Sequence, residues 1–107
     1  MSSPVVAFST VAKAEDADRL ASSLVENRLA ACVNVVAGVV STYRWKGKVE
    51  RDEERLLVIK TRRDRLPALK EELVRLHPYE VPELIVLEVE DGLAPYLAWL
   101  DESVTTG

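Results

Sequence analysis

The chain has 107 residues, 48% of them hydrophobic and 30% charged, which is material for one buried core and points to a single domain over residues 1–107. A formal charge of -4 and a pI near 5.0 exclude a surface built to displace counterions from nucleic acid. No apolar run approaches the roughly 18 residues a membrane span needs, so neither nucleic acid nor membrane is an expected partner.

In chain order, "PVVAFST" (Pro4 to Thr10) is short, apolar and partly β-branched, the composition of a strand near the core. Across "KAEDADRLASSLVEN", Ala17, Leu20, Ala21, Leu24 and Val25 recur at helical spacing, and Glu15 and Asp16 stand where the helix dipole favours acids. From Ala31 the composition returns to strand, with Cys32 at its start as a buried, inert thiol among small and branched neighbours. This is one long hairpin turned at Gly47, with Val39, Ser41, Tyr43 and Trp45 on one face and Val40, Thr42, Arg44 and Lys46 on the other. The "DEE" run, Asp52 to Glu54, reads as solubilising charge on a strand edge, and "KTRRDR" as a solvated junction.

A second helix follows, N-capped by Asp64, with Pro67 in its first turn and Leu66, Leu69, Leu73 and Leu76 as its apolar stripe. It must stop at His77, because Pro78 pushes the preceding residue out of helical geometry. "ELIVLEVE" (Glu83 to Glu90) predicts a buried strand closed by Asp91-Gly92. A last helix, "APYLAWLDES", turns Tyr96, Leu97 and Leu100 inward, and "SVTTG" reads as a frayed tail.

The order strand, helix, strand, strand, helix, strand fits an α+β, ferredoxin-like sandwich: two split βαβ halves share an antiparallel sheet, and an extra helix follows. The hairpin arms outrun two helices of ordinary size. Tyr43 and Trp45 near its tip would then be wet in a monomer, which predicts a symmetric oligomer with those two aromatics at the contact. The single Cys32 cannot close an intrachain disulfide, and "MSSPVVAFST" lacks the features of a secretory signal, so the expected compartment is the cytoplasm.

The stretches "ENRLAACVNVVAGVVSTYRWKGKVERDEERLLVIKT", "LHPYEVPELIVL" and "YLAWL" together closely resemble the CutA divalent-cation tolerance family, from about Val5 to Leu100. The resemblance implies a homotrimer assembled through the hairpin strands and a cytoplasmic role in tolerance of copper and other divalent metals. The family's trimer also resembles the PII signalling proteins, which implies a sensing or scaffold role as the alternative. For copper-binding members the implied ligands are a cysteine near the end of the first strand and two adjacent histidines before "PY". Those positions here are Ser9, Leu76 and His77, so one imidazole remains to meet Cu(II) or another divalent metal.

His77 is also well placed as a helix stop, with Pro78 and Pro82 stiffening the linker. If that linker lines a protomer interface, Tyr79, Glu80 and Glu83 would meet Arg44 or Lys60 in a small polar pocket. Catalysis is not expected and no obligatory cofactor is. The loop "STVAKAED" lacks the glycines and arginine of a phosphate cradle, and one histidine with no suggestively spaced nucleophile leaves little for acid-base or covalent schemes.

Overall fold

A computed structural model describes residues 2–106. Its elements are β1 (Pro4–Val11), α1 (Ala14–Glu26), β2 (Cys32–Trp45), β3 (Lys48–Arg62), α2 (Leu66–Leu76), β4 (Ile85–Glu88) and α3 (Ala94–Ser103), with a 3-10 turn at Arg63–Arg65 before α2. The four strands form one antiparallel sheet in the order β2-β3-β1-β4, the expected ferredoxin-like arrangement.

Strand alternation divides the sheet into two unlike faces. Val5, Ala7 and Val11 of β1, with Leu57 and Ile59 of β3, are fully buried against Ala17, Leu20 and Leu24 of α1 and Leu69 and Leu73 of α2. The opposite face carries Val6, Phe8, Leu56 and Val58, continued onto β2 by Val36 and onto β4 by Ile85 and Leu87. α3 crosses only one end of it: Arg62 donates to Asp101 at 2.8 Å, and the Lys60 ammonium lies 5.9 Å from the Tyr96 ring centroid. Among the described residues, the rest of this face is free of helices.

The hairpin turns through Lys46 (φ 49°) and Gly47 (φ 80°). Two consecutive left-handed residues match the natural twist of the strands, and Gly47 reaches that conformation without steric cost. Midway along, register slips between Val36 and Val39, where Gly38 has φ 75°. Three steps on β2 there oppose two on β3, so one extra residue is inserted. This reverses alternation: Val36 and Val39 lie on the same side of the sheet, and Tyr43 and Trp45 stay on the helix-free side. Without the bulge they would face the helix layer.

Several expectations need correction. β4 is four residues rather than Glu83 to Glu90, and it is an edge strand, with Ile85 57% and Leu87 55% exposed; only alternate residues such as Val86 reach the core. The tail after α3 is not frayed throughout: Val104 is fully buried with Leu100 and Ala31, and the Thr105 hydroxyl donates to the Asp101 carbonyl at 2.7 Å. Gly107 lies outside the described residues. Tyr96 is exposed rather than turned inward, and Val25 of α1 is exposed as well. Cys32 is only partly buried, at the end of an edge strand that nothing covers fully. Asp64 does not cap α2, because Arg62 holds its carboxylate through Nε and Nη2 at 2.7 and 3.0 Å. That guanidinium keeps Asp64 below the usual carboxylate range.

Candidate functional site

The linker from His77 to Leu84 carries the chain from the helix layer to β4, and it does so around the end of β1. His77 takes an extended conformation (ψ 132°) at the end of α2, as Pro78 requires. The residue as a whole is 7% exposed. Nε2 lies 2.8 Å from the carbonyl of Thr10, and Nδ1 accepts the backbone N–H of Tyr79 at 3.1 Å. The first contact needs a protonated nitrogen and the second a lone pair, which fixes the Nε2–H tautomer. The Tyr79 ring then packs edge-on against the imidazole, with centroids 4.6 Å apart. Ser9 is fully buried on β1 with its hydroxyl unpartnered, and Leu76 packs against the core. Among the described residues no three His, Cys, Asp or Glu side chains gather closely enough to hold a metal ion.

On the helix-free side, a cavity of about 610 Å3 opens between the linker and the outer hairpin. Thr10, Ser41, Tyr43, Trp45, Glu54, Tyr79, Glu80 and Glu83 are among its lining residues. Each arrives for a structural reason. Thr10 and Glu54 share the face of Leu56 by strand pairing, and the bulge at Gly38 delivers Ser41, Tyr43 and Trp45 to that face. The linker then brings in Tyr79, Glu80 and Glu83 from the other side.

Glu54 is the innermost acid, 6% exposed, and its Oε2 accepts the Tyr79 hydroxyl at 2.5 Å. Burial, then this bond, pushes the Tyr79 phenol well above its ordinary range. At the outer edge, the Tyr43 hydroxyl donates to Asp52 at 2.5 Å, and that carboxylate, above all through the hydrogen bond, raises the Tyr43 phenol to about 12. Thr10 Oγ1 approaches Glu83 at 3.4 Å. Both phenols therefore stay protonated donors near neutrality.

Of the five residues expected in a polar pocket, Tyr79, Glu80 and Glu83 line this cavity, and Tyr43 and Trp45, expected at a protomer contact, line it with them. Arg44 and Lys60 do not come together with these acids within the chain. Arg44 alternates to the opposite face from Tyr43, and Lys60 sits at the far end of β3 beside Tyr96. Glu54 escaped the sequence reading, which treated "DEE" as exposed edge charge. Its one signal was parity: Glu54 continues the alternation of Leu56 and Val58. Leu57 and Ile59 on the other face are equally apolar, so parity alone could not say which acid was buried.

These features define a class: an α+β ferredoxin-like protomer with an overlong hairpin, a bare apolar sheet face and an acidic, aromatic cavity beside it. The model of the CutA1 divalent ion tolerance protein family matches residues 5–103, and the chain belongs to that family. It is 49% identical over 98 residues to the divalent-cation tolerance protein CutA of Thermus thermophilus, covering 92% of this chain and 95% of that one. It is 48% identical to the chloroplastic protein CutA 1 of Oryza sativa over 92% of its own length but only 56% of the relative's, about half of that longer protein. The solved structure of the divalent cation tolerance protein from Thermus thermophilus superposes with a TM-score of 0.93 at 47% identity, covering 95% of this chain and 99% of the other.

Proposed function

We propose that the protein is a non-catalytic homotrimer that serves divalent-cation tolerance by binding rather than by chemistry. The observation that carries the assembly is the helix-free sheet face. Val36, Ile85 and Leu87 are exposed there beside half-buried Val6, Phe8, Leu56 and Val58, a continuous apolar surface of the kind that soluble proteins bury against a partner. The naming of its relatives as divalent-cation tolerance proteins supports the metal role. Copper or another divalent ion is the expected ligand, and His77 is the one imidazole available, though its ring nitrogens are both engaged. A cytoplasmic location remains our reading from the lone cysteine, Cys32, while the rice relative carries a chloroplastic name.

The cavity favours a second reading, a PII-like trimer that senses a small ligand. Its volume falls within the roughly 300–1,000 Å3 of ordinary ligand pockets, and its aromatic walls and convergent polar groups suit selective binding. Sedimentation equilibrium tests the assembly common to both readings: the expected mass is about three times the 11.9 kDa of one chain. A species at the single-chain mass at micromolar concentration would overturn it.

A further inference from the structure

We infer that the subunits of the trimer meet head to tail, with the Lys60 ammonium of one protomer entering the cavity of the next to neutralise Glu54, Glu80 and Glu83. The inference rests on the trimer proposed above and names the contact that closes it.

Charge is not spread evenly over the helix-free face. Along β3 its alternate residues read Glu50, Asp52 and Glu54 on the outer hairpin, then apolar Leu56 and Val58, then Lys60 and Arg62 beside α3. The linker adds Glu80 and Glu83 to the acidic end, and from Pro78 to the end of the chain there is no Lys or Arg to offset them. Among the described residues Glu54, Glu80 and Glu83 form no ion pair. The buried Glu54 carboxylate is met only by the neutral phenol of Tyr79, at Oε2. A partner covering this face takes these carboxylates further out of water. Charge buried in that way is stable only beside a countercharge, so the covering surface has to bring a cation with it.

On that face the strands carry Lys48, Lys60 and Arg62. Arg62 is committed to Asp64 and Asp101, at 2.7 and 2.8 Å, and Lys48 stands at the hairpin turn, outside the cavity lining. Lys60 is the uncommitted one. It is half-buried, forms no ion pair among the described residues, and holds its ammonium 5.9 Å from the Tyr96 ring centroid. It cannot serve the acids of its own chain, because Glu54 lies about 20 Å away along β3 at the usual rise per residue. A cyclic assembly removes the mismatch: each protomer offers its basic end to one neighbour and its acidic end to the other. The apolar surroundings fit the same docking. Tyr96, packed on Trp99 beside Lys60, is exposed at one end, and Val81 in the cavity lining is exposed at the other.

Zero-length carbodiimide coupling of the unmodified protein, followed by peptide mapping of the covalent dimer and trimer bands, reads the contact directly. The expected product joins Lys60 of one chain to Glu80 or Glu83 of another. Lys60→Glu sets like charges opposite each other and should raise the concentration at which the oligomer half dissociates by about tenfold or more; adding Glu83→Lys should restore much of the loss. Sedimentation equilibrium reads both variants, and near-ultraviolet circular dichroism checks that each folds. Where one does not, the cross-link on the unmodified protein decides. A wild-type trimer whose cross-links omit Lys60 or run through Lys48 instead, or one that Lys60→Glu leaves equally tight, overturns the head-to-tail contact and leaves the trimer standing. A wild type at the single-chain mass removes both.

Discussion

His77 joins three pieces of the molecule. Its ring bonds the end of strand β1 through the Thr10 carbonyl, receives the linker through the Tyr79 N–H, and supports the Tyr79 ring that in turn reaches Glu54. Neither nitrogen keeps a lone pair free for a metal. Coordination through Nδ1 would strand a backbone N–H, and coordination through Nε2 would displace a proton and strand a carbonyl. His77→Ala is therefore expected to cost about 1–3 kcal/mol of stability, the range for leaving buried partners unsatisfied, by denaturant unfolding. The same variant should change Cu(II) affinity by less than about twofold, since a lone imidazole adds little without further ligands. A large loss of copper binding with stability unchanged would reverse the assignment and make His77 a ligand.

At the scale of elements, α1 and α2 are held side by side by apolar packing and by polar links, the shorter of them centred on Glu72. The Ser23 hydroxyl donates to Glu72 at 2.5 Å, and Arg75 donates to both oxygens of the same carboxylate at 2.8 Å. Arg75 first, then Ser23, holds Glu72 down to about 2, against 4.5 for an ordinary glutamate. As pH falls, the unfolded chain takes up this proton before the folded one does. The stabilisation is complete above pH 4.5 and is lost as pH falls through about 2. Glu72→Gln should therefore lose less stability than wild type across that window, and the gap between the two unfolding curves isolates this carboxylate. The carboxylate is only partly buried and its Arg75 partner is exposed to screening by water, so the gap is small. Elements whose period or punctuation is strong were legible in the sequence: α2 ends at Leu76 because of Pro78, and the hairpin turns at Gly47. The bulge at Gly38 was not, because "VVAGVV" alternates equally well in either register. Nor was the burial of Glu54, which depends on a linker folding over it from 25 residues away.

The whole molecule is longer than its size requires. Its extents are 44 × 26 × 22 Å and its radius of gyration is 14.4 Å, whereas a compact domain of about 100 residues has a radius near 13 Å. The excess is the outer hairpin, which extends past the helix layer and carries Val40, Tyr43, Trp45 and Val49 exposed. A monomer would hold this arm and the bare sheet face in water, at a hydrophobic cost of about 25 cal/mol for each Å2 of apolar surface left uncovered. The edge strand β4 offers the cleanest test, because Leu87 is 55% exposed within one chain and lies on the bare face opposite Val6. Leu87→Lys should leave the isolated protomer within about 0.5 kcal/mol of its stability, as surface substitutions do. In an assembly that covers this face it would bury an unpaired ammonium and drive the subunits apart. The wild type should then melt at a temperature that rises with protein concentration, because association binds the native state and not the unfolded one. Leu87→Lys should sediment as a single chain and melt independently of concentration. A variant that keeps the oligomeric mass would place the subunit contact elsewhere on the surface, on the hairpin alone.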